Sequence, residues 1–226
     1  KTAIHFHVYY PDIFEAYLPK LQIPDSHYDL YITTDSDDKK EKILNILNMG
    51  VPLSGKTEIV VVPNRGRDVL PWIMLSDKLR HYDVVGHFHT KKSLSAPAWF
   101  GAAWLKETMD SLIDPMPLIL KTFENNPEIG IVFPDIPLLF KTKMGLLTLD
   151  KSWAIVIQLW KRLGCHKKIE LNMLKTLIMP YGTMFWYRPD ALKPLMEYGF
   201  SLEDFPPEPF PTGGTLAHAI ESIVVY

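Results

Sequence analysis

The chain has 226 residues and a mass of 26.0 kDa, with 24 Lys and Arg against 26 Asp and Glu, a formal charge of −2. A balance so near neutrality excludes a polyanion binder that works through a general basic field. With 47% hydrophobic, 12% aromatic and 22% charged residues, the chain can bury a large core, which excludes disorder. The longest stretches without a charge, Ile43 to Gly55 and Ser93 to Leu105, have 13 residues each. A membrane-spanning helix needs about 18, so none is expected. Cys165 is the sole cysteine and cannot form an internal disulfide, which together with the absence of a secretory signal pattern points to the cytoplasm. Lys1 opens directly in a strand-like run and Tyr226 closes an apolar one, so the chain reads as a piece of a longer protein.

In chain order, short β-rich runs bounded by polar residues or proline predict strands over Ala3 to Tyr10, Asp29 to Thr34, Glu58 to Val62, Asp83 to Phe88 and Ile129 to Phe133. Between them, helical patterns run from Ile13 to Leu21, Asp37 to Asn48, Val69 to Leu79 and Met116 to Phe123. Asp68 and Asp114-Pro115 stand where N-terminal caps belong. Strand and helix alternating in this way predict right-handed crossovers and a mostly parallel sheet flanked by helices. The second half is less regular: helices over Ser152 to Leu163, Pro189 to Tyr198 and Thr215 to Tyr226, a strand over Thr183 to Tyr187, and a Pro- and Gly-rich loop from Glu203 to Gly214. No repeat or linker divides the chain, so a single domain over 1–226 is expected.

Open α/β sheets bind ligands beyond the carboxyl ends of their strands. That rule selects Tyr9 and Tyr10, Thr33 to Asp37, Asn64 to Asp68 and His87 to Ser93. Asn64-Arg65-Gly66-Arg67-Asp68 sets two guanidinium groups, an amide and a carboxylate around a glycine ahead of a helix, a loop suited to an anion. His87 and His89 alternate onto one side of their strand, as do His5 and His7 on the first. Two such pairs raise a metal-dependent hydrolase as an alternative, although a zinc site needs a third ligand and Lys91 and Lys92 would repel a dication. Histidines packed and hydrogen-bonded between strands are the preferred reading of His5 and His7. His218 and Glu221 share a helix face three residues apart.

Taken together, His5-Phe6-His7-Val8-Tyr9-Tyr10, Asp29 to Thr34, Asn64 to Asp68, His87 to Ser93, Gly182-Thr183-Met184-Phe185-Trp186 and Gly214 to Glu221 closely resemble the rhamnan synthesis protein F family, nearly end to end. The resemblance implies a part in making rhamnose-containing bacterial cell-wall polysaccharide or O-antigen. It also implies a glycosyltransferase activity on a nucleotide sugar such as dTDP-L-rhamnose, and a lipid-linked or polysaccharide acceptor. The predicted topology agrees with a GT-A-like, Rossmann-like fold, in which 1–140 would hold the nucleotide and 141–226 the acceptor. Asn64 to Asp68 followed by Tyr82 to Val85 is also similar, more distantly, to family-2 glycosyltransferases, whose acidic metal motif is here replaced by His87 to Lys92. The site expected from this likeness needs no metal or other cofactor: Arg65, Arg67, Lys91 and Lys92 surround the pyrophosphate. Tyr9, Tyr10, Thr33, Thr34 and Asp35 meet base and ribose, and Gly182, Thr183 and Trp186 with His218 and Glu221 close over sugar and acceptor. Where the family's last motif usually has Asp, and Arg after the Glu, this chain has Gly213 and Ser222. The remaining catalytic candidates are the carboxylates Glu208 and Glu221, ahead of Asp204, together with His218. A non-catalytic sugar-binding module of transferase descent is the other alternative.

From Lys141 to Lys175 eight cationic residues face two acids, a local charge of +6 within a chain of −2. The helix inside it carries Trp153 and Trp160, and a basic helix with tryptophan suits peripheral contact with the inner face of the plasma membrane. A core helix flanked by solvated lysines is the alternative. Binding to nucleic acid is not expected.

Overall fold

The computed structural model describes residues 1–23, 26–50, 53–90, 98–136, 152–165, 178–209, 211 and 213–226. Six strands form one sheet: β1 (Thr2–His7), β2 (Asp29–Thr34), β3 (Thr57–Val61), β4 (Val84–His89), β5 (Ile131–Val132) and β6 (Phe185–Tyr187). Their order is β3-β2-β1-β4-β6-β5. The first four are parallel, while β6 runs antiparallel to both β4 and β5. The mostly parallel α/β sheet expected from the sequence is therefore present.

Helices cover both faces. Alternation along β1 sends Ile4, Phe6 and Val8 into one apolar layer with α1 (Pro11–Leu21), α2 (Asp37–Met49), α5 (Ala98–Ile113) and α6 (Met116–Asn125). Ala3 and Val85 enter the other, against α3 (Val69–Ile73), α7 (Trp153–Arg162), α8 (Lys193–Met196) and α9 (Leu216–Ile223), with α4 (Ser76–Leu79) at its margin. The run Val69 to Leu79 that reads as one helix breaks into α3 and α4. Pro189 to Tyr198 breaks into a 3-10 turn, Pro189–Leu192, and α8, which has Pro194 in its first turn. α5 is an element that the sequence patterns do not bring out. Its 16 residues are rich in Ala and aromatics, with no acid in the first turn to mark a start.

Two expected caps have other partners. Asp68 stands at the N-terminus of α3 without a capping bond. Asp114 accepts from Lys20 Nζ at 2.9 Å, tying α1 to the α5–α6 corner. In α7, Val156 and Leu159 are buried, and Trp153 and Trp160 pack against the same core. The alternative of a core helix therefore describes α7, and most of the basic stretch around it lies outside the described residues. No helix among the described residues is long and apolar enough to cross a membrane.

The second layer closes on a buried polar pair, Trp72 Nε1–H donating to the Tyr187 hydroxyl at 2.8 Å with both side chains fully buried. Replacing Tyr187 by Phe leaves that indole N–H unsatisfied. We expect the substitution to cost about 1–3 kcal/mol. Urea unfolding would show it, and an unchanged midpoint would mean that the bond contributes nothing net.

Candidate functional site

Strand order places a topological switch between β1 and β4: from β1 the chain moves outward to β2 and β3 on one side, and later to β4 on the other. Ligands of such sheets enter the crevice at the carboxyl ends of the two switch strands. Here that edge is bridged by Tyr10 N–H donating to Thr90 Oγ1 at 2.8 Å. On the face that is apolar at Ala3 and Val85, the next side chains toward this edge are His5, His7, His87 and His89. His5 is in register with His87, and His7 with His89 and Thr33.

All four imidazoles are buried, at 0–7% exposure. Thr33 Oγ1 lies 2.9 Å from His5 Nε2 and 3.0 Å from His7 Nδ1, and His5 Nδ1 lies 2.9 Å from His87 Nδ1. With neutral rings this chain of bonds has two orders, since each bond needs one proton. One order points His87 Nε2–H at Asp68 Oδ2, 3.9 Å away; the other points a lone pair at that carboxylate. Electrostatics select the first. His5 Nδ1–H then donates to His87, the Thr33 hydroxyl to His5, and His7 Nδ1–H to Thr33. His87 Nε2 has no hydrogen-bond partner among the described residues, and its ring lies 5.0 Å from that of Trp72 and 5.5 Å from that of Phe185.

Burial keeps His5, His7 and His87 neutral. Desolvation pulls His5 and His87 well below the usual imidazole range, with neighbouring imidazoles adding to it. His7 is lowered to about 4, again mainly by desolvation, with Asp68 and Asp35 opposing and His89 and Lys39 reinforcing. His7 thus stands between two groups of charges.

On one side of it, Asp35 Oδ1 accepts from Lys39 Nζ at 2.6 Å, and the same ammonium sits 3.5 Å from the centre of the Tyr9 ring. Tyr9 and Tyr10 meet edge to face at 4.9 Å. Tyr9, Tyr10 and Asp35 therefore lie together, with Lys39 as a member the sequence reading did not name. Its place four residues after Asp35 on a helix was the available signal. Thr34 belongs elsewhere: its hydroxyl is buried and donates to Val8 O at 2.8 Å.

On the other side, His89 Nε2–H donates to the Gly182 carbonyl and stands 4.0 Å from Asp68 Oδ2. Gly182 N–H donates to Glu221 Oε1 at 2.8 Å, so Glu221 serves the backbone here. Gly182 has φ 89°, and a Cβ there would come 3.2 Å from the Trp104 ring. Trp104 arrives on α5, the helix missing from the sequence reading. Thr183 follows with φ 56°, a left-handed conformation that is uncommon for a β-branched residue. Trp186, expected at the sugar, is fully buried. Alternation in β6 sends Phe185 and Tyr187 to the histidine face and Trp186 to the opposite layer, where its indole N–H donates to Leu112 O at 2.9 Å.

The Arg loop has the same backbone device. Gly66 (φ 66°) and Arg67 (φ 55°) are consecutive left-handed residues, and a Cβ on Gly66 would sit 2.6 Å from Leu70 Cβ and 2.9 Å from the Phe205 ring. Against this loop lies the segment Phe205 to Pro211. Arg65 Nε–H donates to Phe205 O at 2.5 Å, Arg65 forms an antiparallel bridge with Pro207, and Arg67 Nη2 reaches Pro211 O at 3.4 Å. Glu208 belongs to that segment and Asn64 is exposed beside it. Arg67 Nη1 lies 3.4 Å from His218 Nε2, whose Nδ1 is 2.6 Å from Thr215 Oγ1. Lys91 and Lys92 lie outside the described residues.

Among the described residues no three of His, Cys, Asp and Glu assemble in a way that could hold a metal ion. The His-x-His pairs face one another and Thr33. Concavity alone does not select this edge. A hollow of about 220 Å³ lies at the opposite edge of the sheet, between Tyr82-Asp83 before β4 and Arg188 to Asp190 after β6.

Comparison with known proteins gives a match over residues 1–226 to the family model described as rhamnan synthesis protein F. Two curated relatives, each named uncharacterized protein WxcX and coming from two strains of Xanthomonas campestris pv. campestris, are 28% identical over 227 aligned residues. The alignment covers 99% of this chain and 30% of each relative, so the chain spans less than a third of their length.

The neutral imidazoles make the fold acid-sensitive. In the unfolded chain they bind protons near pH 6.5; in the fold His7 does so only at about 4. Stability is complete above pH 6.5 and falls as the pH drops toward 4, because the unfolded state takes up more protons. His7 alone accounts for a loss on the order of 3 kcal/mol across that window. Urea midpoints between pH 7 and 5, where carboxylates barely titrate, should fall steeply and flatten in His7→Gln. A level wild-type profile would contradict the neutral cluster.

Proposed function

Since the chain belongs to the rhamnan synthesis protein F family, we propose that it is the sugar-transferring part of a protein that builds bacterial rhamnose-containing polysaccharide. Rhamnose, or a related sugar, passes from a nucleotide donor such as dTDP-L-rhamnose to a lipid-linked or polysaccharide acceptor. On this reading the domain is GT-A-like and works in the cytoplasm, at the inner face of the plasma membrane where such acceptors are anchored.

The observation that carries the proposal is the convergence of the Arg65-Gly66-Arg67 loop and the His218 helix, through the Arg67 to His218 contact, with the histidine cluster in the same layer of the fold. A transferase must neutralise the nucleoside diphosphate as it leaves, and guanidinium groups fit phosphate oxygens in a fixed fork. Arg67, presented by a strained backbone, supplies that charge together with Lys91 and Lys92. Tyr9, Tyr10, Asp35 and Lys39 hold base and ribose, with Thr33 fixing the floor beneath them. The half-buried Trp104 ring beside Gly182 offers a flat apolar wall to a sugar. No divalent ion is required in this scheme.

A second reading, binding without transfer, draws on two observations. Gly213 stands where the family usually has Asp, and Glu221 is engaged by the Gly182 amide. Both readings predict donor binding, and turnover separates them. With dTDP-L-rhamnose and a lipid-linked acceptor, we expect transfer that persists in excess chelator and falls about 10²–10³-fold in Arg67→Ala, the loss typical of removing one group that stabilises developing charge. Turnover abolished by chelator would remove the metal-free mechanism, and tight donor binding without any product would establish the second reading.

A further inference from the structure

We propose that Arg67 gates His218, so that the guanidinium occupies the imidazole lone pair which takes the acceptor's proton, and the donor's diphosphate frees that lone pair by drawing the guanidinium to itself. The inference rests on the transferase reading and adds to it the identity of the base and an order of binding.

The starting state follows from the hydrogen-bond inventory. Arginine only donates, so at the Arg67 Nη1 contact His218 Nε2 is the acceptor. The ring is then neutral with its proton on Nδ1, which donates to Thr215 Oγ1 at 2.6 Å. Thr215 is the N-cap residue of α9 and His218 lies in its first turn, so the partner that locks the tautomer is built into the helix start. This is the relation of a catalytic base to its orienting group. Thr215 is the positioning residue, and Nε2 is the atom that can accept a proton.

The contact is also suited to exchange. Among the contacts of Arg67, those to His218 Nε2 and Pro211 O are to neutral acceptors at 3.4 Å each, the long end of the hydrogen-bond range. Bonds from guanidinium to phosphate are shorter and about twice as strong. Arg65 differs: its 2.5 Å bond to Phe205 O and the bridge to Pro207 hold the loop against the strap. Arg65 stays as the anchor while Arg67 moves. The left-handed backbone at Arg67 (φ 55°) is the strain expected at a residue kept for its reach.

In the reaction the acceptor hydroxyl attacks the sugar's anomeric carbon. The new C–O bond forms as the bond from that carbon to the phosphate oxygen breaks. The electron pair leaves with the nucleoside diphosphate, whose charge Arg67 offsets, and the hydroxyl proton passes to His218 Nε2. An acceptor that arrives first meets an occupied lone pair, so the donor binds first.

The test uses chain labelled at the histidine nitrogens, with the His218 signal assigned by its loss in His218→Gln. The probe is dTDP, and binding is measured separately by calorimetry. We expect dTDP to shift the Nε2 resonance of His218 toward that of an imidazole nitrogen with no donor facing it. Arg67→Asn, whose side chain is too short to reach and which tolerates a left-handed backbone, should show the shifted resonance without dTDP and bind dTDP about tenfold more weakly or worse. Binding of dTDP that leaves the resonance in place, or an unchanged resonance in Arg67→Asn, overturns the gating while the transferase reading survives. Failure of dTDP and other nucleoside diphosphates to bind at all removes the transferase reading, and the gating falls with it.

Discussion

The hydrogen bond between His5 and His87 joins the two switch strands at the point where the sheet turns from apolar core to polar edge, and much of the surrounding structure follows from keeping both rings neutral. A charged imidazole at zero exposure would cost several kcal/mol in desolvation. The fold therefore supplies each ring with a partner that needs no charge: His87 for His5, Thr33 for His5 and His7, and the Gly182 carbonyl for His89. Trp72 and Phe185 seal the cluster on the side of α3 and β6. Asp68 is the carboxylate that His87 Nε2 faces, at 3.9 Å, and it has no capping bond to α3.

Around this rigid floor the chain places two loops with the same construction. Gly66-Arg67 and Gly182-Thr183 are each a glycine followed by a non-glycine residue, both with positive φ. Each loop packs closely where its glycine has no side chain, against Leu70 and Phe205 in one case and Trp104 in the other. The two are connected through α9, since His218 contacts Arg67 and Glu221 holds the Gly182 amide one turn later. One helix face thus fixes the distance between the Arg65-Gly66-Arg67 loop and the loop whose carbonyl meets His89. Ser152, at the start of α7, accepts from Gly214 N–H at 3.0 Å, and Arg162, at its end, pairs with Asp204 at 3.0 Å. Helix α7 therefore carries both ends of the strap that crosses to the arginines.

What was legible in the sequence was local. Alternating strands with polar or proline breakers, and amphipathic helices between them, are decided by neighbours within a few residues, so β1 to β4 came out nearly in place. The failures involve partners distant in sequence. Asp68 reads as a cap until His87 and His89 arrive from another strand. Trp186 reads as a site residue within its motif, but which face it takes depends on the pairing of β6 with β4, about 100 residues earlier. Trp104 was invisible because α5 has few of the signals that mark a helix start. His5 and His7 were better served: a packed, hydrogen-bonded pair was the preferred reading, and strand register alone brings Thr33 and His87 to them.

The same cluster bears on how charge is handled in the proposed reaction. A divalent ion needs lone pairs or carboxylates converging on one point, and here the imidazole nitrogens of His5 and His87 are spent on each other, on Thr33 and on a proton aimed at Asp68. The floor therefore supplies shape and polarity. In the proposed reaction the positive charge for a departing diphosphate comes from side chains at the rim, where Arg67 stands on a left-handed backbone with long contacts to His218 Nε2 and Pro211 O. A cation on a side chain can follow the substrate's charge, whereas a metal in a cage would be fixed before the substrate arrived. A neutral floor beneath a rim that carries Arg67 is the consequence of burying His5, His7 and His87 at the end of a parallel sheet.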